Sequence, residues 1–157
     1  MGYGRFTGAD CAQAFAWKIG DPAPTSLVPS AGCVSGIPGG DFYRSAATAV
    51  SQGGLVVGWV RNLDGTIDAF TWRNGHLTNI GRLGDLASQP SSVNDHGDIV
   101  GTFYEPGGRF PVAAPFFYDG RRYWDLRQLV PSDIGLPSGI NERGQIVSGD
   151  KLLTPGH

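Results

Sequence analysis

The side chains able to do chemistry in this 157-residue chain are few and scattered. His76, His96 and His157 are its three histidines, and no two stand at a metal-ligand spacing. His96 lies in a turn at a position that Arg143 takes in a later, similar segment, which reads as a solvated loop residue. Serines are frequent in loop-like stretches (Ser88, Ser91, Ser92), yet no Gly-x-Ser-x-Gly elbow sits between a strand and a helix, so no hydrolase triad is indicated. Of the 14 acidic residues only Glu105 and Glu142 are glutamates; the others are aspartates, whose short side chains bond their own turns. The run Asn62-Leu63-Asp64-Gly65-Thr66-Ile67-Asp68 alternates oxygen ligands around a glycine like a calcium loop, but it lacks the later bidentate glutamate and reads as a hairpin loop. No catalytic residue, metal ligand or cofactor site is therefore assigned. The sharper signal is aromatic. Trp59, Phe103, Tyr104, Tyr123 and Trp124 stand beside Arg61, Arg121 and Arg122, and planar rings with guanidinium groups stack on sugars or anchor a protein. Trp59, Tyr104, Arg122 and Trp124 are the candidate binding residues, with a carbohydrate or a protein as ligand; packing between sheets is the structural alternative.

The background of these residues excludes several classes of function. Twelve Lys and Arg against 14 Asp and Glu give a formal charge of -2, leaving no basic excess to release counterions from nucleic acid. No apolar run approaches the roughly 20 residues of a membrane span, so no membrane partner is expected. The start Met1-Gly2-Tyr3-Gly4-Arg5 has no basic segment followed by an apolar one, hence no signal peptide is read in this chain. Cys11 and Cys33 are the only cysteines, too few for a structural zinc site, and form either a disulfide or two buried thiols. Gly (25) and Pro (11) supply 36 of the 157 residues, a turn-rich composition, while 8 Phe, 5 Tyr and 4 Trp give it a core to bury.

What must position these side chains is a repeat. Its first half reads Ala14-Phe15-Ala16-Trp17, Ala69-Phe70-Thr71-Trp72 and Pro115-Phe116-Phe117-Tyr118, each followed within three residues by Gly20, Gly75 or Gly120. Its second half reads Ser51-Gln52-Gly53-Gly54, Asn94-Asp95-His96-Gly97 and Asn141-Glu142-Arg143-Gly144, flanked by Val50 and Val56, Val93 and Ile99, Ile140 and Ile146. Gly54 to Gly97 is 43 positions and Gly97 to Gly144 is 47, a period in the mid-forties. Asn74-Gly75 and Asp119-Gly120 predict type I′ hairpin turns, and the glycine closing each second-half loop predicts another hairpin. Two hairpins give about four strands per unit. The expectation is one all-β array over residues 1–157, with three four-stranded repeats at about 14–58, 69–101 and 115–149. Strand exceeds helix in this reading, no helix passes about three turns, and Asp41 to Val50 is the stretch whose alanines favour a helix instead. Phe15, Phe70, Phe116, Val56, Ile99 and Ile146 are predicted as equivalent core positions, each Phe sharing a face with the Trp or Tyr two residues on.

The pattern Ala-Phe-x-Trp, an Asn-Gly turn, a Leu-Gly segment and Asn-x-x-Gly-x-Val-Val-Gly resembles the HAF repeat of bacterial proteins usually described as extracellular. The middle copy, Ala69-Phe70-Thr71-Trp72-Arg73-Asn74-Gly75 through Leu83-Gly84 to Val93-Asn94-Asp95-His96-Gly97-Asp98-Ile99-Val100-Gly101, fits best; the first copy has Ser51-Gln52 for the Asn-x pair, and Ser148 stands where Gly58 and Gly101 stand in the others. The resemblance implies a β-propeller-like fold and an extracellular or periplasmic location, and assigns no activity. Gly2-Tyr3-Gly4 resembles the residues after Val57 and Val100, while Gly156-His157 falls where the next Ala-Phe-x-Trp is due. Three blades do not close a propeller of the usual four to eight. The expectation is self-association, a homodimer of six blades, with a longer array or a self-closing β-trefoil as alternatives. The functional reading is a non-catalytic binding or assembly module; the alternative is a glycan-active enzyme on a propeller scaffold using loop acids such as Asp95, Asp98 and Asp125.

Overall fold

The computed structural model describes residues 2–5, 12–28, 45–62, 64–105, 113–130 and 133–155. Cys11, Cys33 and His157 lie outside these residues, as do positions 41–44 of the stretch weighed as a helix; its remainder, Ser45–Val50, is a strand.

The chain is all-β, and its described residues form four antiparallel sheets in sequence order. Sheet I holds β1 (Gly2–Arg5), β2 (Ala12–Ala16) and β3 (Thr25–Ser26). Sheet II is a meander of β4 (Ser45–Val50), β5 (Val56–Arg61), β6 (Ile67–Arg73) and β7 (His76–Gly81). Sheet III repeats it with β8 (Ala87–Val93), β9 (Ile99–Tyr104), β10 (Ala113–Tyr118) and β11 (Tyr123–Asp125). Sheet IV holds β12 (Pro137–Ile140), β13 (Ile146–Ser148) and β14 (Lys151–Leu153). The one helix among the described residues, α1 (Leu126–Leu129), is a single turn capped by the Asp125 carboxylate, which accepts from Arg127 N.

Each repeat read in the sequence thus straddles two sheets: its aromatic half lies in β2, β6 or β10 of one sheet and its glycine-loop half is the first hairpin of the next. Register makes the equivalence concrete, because Gly2 faces Phe15, Gly58 faces Phe70 and Gly101 faces Phe116. The first strands of sheets II to IV also carry the same bulge: Thr48, Ser91 and Ser138 are each an extra residue, inserted after the partner of Gly58, Gly101 or Ser148. Close contacts between sheets run from β2 to β4, from β5 and β6 to β8, and from β8 and β9 to β12.

Three core clusters fill the gaps between neighbouring sheets, and alternation along the strands assigns residues to them. Val56 and Phe70 pack on Ala14, Leu27 and Val28 between sheets I and II. Val57 turns the other way, against Val93, Ile99, Phe103, Ala114 and Phe116 between II and III. Val100 joins Leu126, Ile134 and Ile146 between III and IV. Both faces of the middle sheets are therefore buried, which explains runs such as Leu55-Val56-Val57 that do not alternate with polar residues.

Three expectations are corrected. Phe15 is half-buried, unlike the other five predicted core positions, and Trp17, at the mouth of the groove between sheets I and II, is 56% exposed. Asp119-Gly120 does not make a two-residue turn: Tyr118 pairs with Tyr123 across a four-residue loop, because the Asp119 carboxylate accepts from both Arg121 N and Arg122 N. Asn74 and Gly75, with φ of 52° and 85°, do form the two-residue turn expected. Finally, the strand due after Gly156 comes earlier, as Lys151–Leu153, since Gly149 at φ 60° starts a two-residue turn that brings Ser148 opposite Lys151.

Candidate interaction site

The four candidate binding residues do not form one patch. Arg122 and Trp124 meet at the β10–β11 hairpin, where the guanidinium lies 3.6 Å over the indole centroid and the indole N–H donates to Asp119 Oδ2 at 2.8 Å. Trp124 faces Phe117, which faces Val100. Tyr104 is four residues further along β9, about 13 Å at strand rise and two strands over. Trp59 is half-buried in sheet II, between Ala46 and Ala69. Phe103 and Tyr123 went into inter-sheet packing, with centroids 5.3 Å apart, and the Tyr123 hydroxyl donates to Gly81 O of sheet II at 3.0 Å.

The acids are committed to structure. Burial works to raise the Asp68 pKa, but hydrogen bonds from Asn79, Asn62 and Arg82 outweigh it and bring it below the usual value. Those donors tie the β5–β6 loop, β6 and β7 together. The remaining oxygens of the calcium-like loop bond one another: Asn62 Nδ2 donates to Thr66 Oγ1, and Thr66 donates through both N and Oγ1 to Asp64. Among the described residues no three His, Cys, Asp or Glu side chains are grouped to hold a metal. Asp119 falls to about 2, chiefly through the Trp124 indole and the Arg122 N–H. Asp125 is lowered by its pairing with Arg127, at 2.7 Å, and Asp98 accepts from Asn94 Nδ2.

Asp95 belongs to a ladder that sequence reasoning missed. The second-half loops of the three repeats share one bond pattern, in which Ser51, Asn94 and Asn141 donate to the carbonyls of Leu55, Asp98 and Gln145 and accept from Gly54, Gly97 and Gly144. The second and third loops each reach the one before. Gly53 N donates to Asp95 Oδ1 at 2.5 Å, and Asp95 N donates to both Glu142 oxygens at 3.1 and 3.0 Å. The Ser51 hydroxyl and this Gly53 N–H hold the Asp95 carboxyl below its usual range. His96 Nδ1 adds a contact to Glu142 at 3.5 Å. The available signal was an acid at the second loop position, Asp95 and Glu142, in two of three copies.

Two shallow grooves open between neighbouring sheets. One, of about 350 Å3 between sheets III and IV, is lined by Phe117, Leu126, Leu129 and Ile146 with Asp98; the other, of about 450 Å3 between I and II, by Trp17, Val56 and Trp72 with Asp21. Each has a single carboxylate among its described lining residues. The chain is matched by no family model, no curated protein and no solved structure.

Proposed function

We propose that this chain is a non-catalytic assembly module, a propeller-like array that associates with further copies through the faces of its sheets. The observation that carries this is the reuse of one stacking interface between sheets I and II, II and III, and III and IV. A unit that buries its apolar faces only against neighbours of its own kind is the logic of repeat assemblies. Four sequential meanders favour a propeller sector over a trefoil, and with the four described sheets as blades a dimer is eight-bladed, within the usual range of closure. An extracellular or periplasmic location is part of the proposal and rests on the likeness to HAF repeats. The Arg122–Trp124 plate is the surface read as the contact for a carbohydrate or protein ligand.

Against the glycan-active alternative stands the state of the acids. A glycosidase needs a carboxyl pair across one pocket, one member keeping its proton near neutral pH. Here Asp68, Asp95, Asp119 and Asp125 are all lowered, each by bonds to the fold itself. Light scattering at micromolar concentration tests the proposal: a mass that is a multiple of 16.6 kDa, and a melting temperature that rises with concentration, are expected. A mass of 16.6 kDa at every concentration, with one cooperative melt, overturns it.

A further inference from the structure

We propose that the groove between sheets I and II binds a neutral saccharide, with Trp17 and Trp72 holding the apolar face of a sugar ring and Asp21 accepting from its hydroxyls. The groove lies within one chain, so the site stands whether or not copies associate. Sheet II contributes one row across its first three strands, where Val50 faces Val56 and Val56 faces Trp72. Sheet I and the turn between β2 and β3 contribute Trp17, Lys18, Asp21 and Thr25.

Trp17 is held ready for a ligand. Its indole N–H donates to Asp21 O at 3.0 Å, across a turn closed by Asp21 N donating to Lys18 O at 2.9 Å, with Gly20 at φ 101°. The ring is thus fixed by its edge while more than half of the residue stays exposed. A ring fixed before the ligand arrives loses little rotamer freedom on binding. The same turn brings Lys18 and Asp21 to the groove. Asp68, Asp95, Asp119 and Asp125 are tied into the fold, but among the described residues the Asp21 carboxylate accepts no hydrogen bond and forms no ion pair.

A pyranose offers an apolar C–H face to an indole and a rim of hydroxyls that both donate and accept. The lining answers both roles: the Asp21 carboxylate accepts, the Lys18 ammonium donates and the Thr25 hydroxyl does either. One cation and one anion cancel, which suits an uncharged ligand. A purely apolar ligand would strip water from both charges and replace it with nothing. An organic cation, which two indoles also suit, would meet Lys18. The volume of about 450 Å3 lies within the roughly 300–1,000 Å3 usual for small-ligand sites. With a single carboxylate among its described lining residues, the groove binds the sugar without the second acid that hydrolysis needs.

The test titrates the full chain with neutral hexasaccharides of glucose, N-acetylglucosamine, mannose and xylose, up to millimolar concentration, by calorimetry and tryptophan emission. At least one is expected to bind and to change the emission. Trp17→Ala should weaken that binding about tenfold or more and remove most of the emission change, and Asp21→Ala should weaken it about fivefold. If Trp17→Ala loses its far-ultraviolet strand spectrum, Trp17→Phe takes its place; it keeps a ring without the N–H that fixes it, and an intermediate weakening is expected. No binding of any of these saccharides overturns the proposal. So does binding that Trp17→Ala and Asp21→Ala leave unchanged, or that Arg122→Ala removes instead, which places the sugar at the β10–β11 hairpin. Tetramethylammonium held in the groove where no saccharide binds overturns it too, since the indoles then form a cage for cations.

Discussion

Sheets II and III solve one packing problem in one way, and sheet IV solves it in another. In the first two, a glycine lies under the ring of the phenylalanine across from it. A Cβ on Gly58 would sit 2.1 Å from Ala46 O and 2.7 Å from Phe70 Cζ, and a Cβ on Gly101 2.3 Å from Gln89 O and 2.6 Å from Phe116 Cζ. In sheet IV the strand opposite brings Lys151 in place of a phenylalanine, and Ser148 stands in place of the glycine, fully buried, its hydroxyl donating to Gly135 O at 2.6 Å. The glycine is therefore a demand of the ring and of the neighbouring carbonyl together, not of the strand. Where the ring is missing, a small polar side chain fills the room and satisfies a loop carbonyl instead.

The largest effects should come from the rings. Phe116→Ala and Phe70→Ala each remove a side chain that is 0% exposed, and each is expected to cost about 3 to 5 kcal/mol in urea unfolding. A loss below about 1 kcal/mol would break the equivalence of the two sheets. Gly101→Ala should cost about 1 to 3 kcal/mol or more, because the added methyl meets a backbone oxygen as well as a ring. The contrast is sharpened by Ser148→Ala, expected to lose about 1 to 3 kcal/mol for a different reason, the stranding of the Gly135 carbonyl. If Ser148→Ala proves neutral in thermal melts, the hydroxyl is not what closes sheet IV.

Smaller effects separate the outer hairpins. Asp119 has a folded-state pKa of about 2 against an ordinary value of 3.8, so its contribution to stability is in place above 3.8 and fades as pH falls toward 2. Asp119→Asn should flatten the part of the acid-unfolding curve between those values; an unchanged curve would dissociate the carboxylate from the hairpin. Arg122→Ala, which removes the cation from the face of Trp124, is expected to cost only about 0.5 to 1 kcal/mol and to shift the indole emission.

The sequence made the hairpins legible because their turns depend on local chemistry. Asn74-Gly75 and the glycines that close the Ser51, Asn94 and Asn141 loops adopt the positive φ their residue types favour. The buried phenylalanines were legible for the same reason, since alternation is visible within one strand. Less legible was whatever depended on a neighbouring sheet. Trp17 and Trp72 have the same local context, yet Trp72 packs on the first core cluster while Trp17 is 56% exposed. Phe103 and Tyr123 read as free aromatics until sheet II provided the surface they pack on. The early β14 strand was missed because Gly149 was read as the end of a repeat rather than the start of a turn. For the candidate site, Arg122 and Trp124 were within reach of sequence reading because they are two residues apart; Trp59 and Tyr104 share only their chemistry with that pair.

The bulge in each first strand has a consequence for how the chain avoids mistakes. Three similar hairpins in one polypeptide invite a slip by one residue, which would turn the buried face of a strand outward. The extra residue carries a hydroxyl each time, and Ser91 shows what it does: its oxygen lies 3.2 Å from Val100 O in its own sheet and 2.6 Å from Pro137 O in the next, while Ser92 Oγ accepts from Ile140 N at 3.2 Å. A strand laid down one residue out of step would lose its own bulge contact and also misplace the donors and acceptors awaiting the following sheet. Register is in this way proofread from one sheet to its successor, so that a correctly paired hairpin acts as the template against which the next is checked.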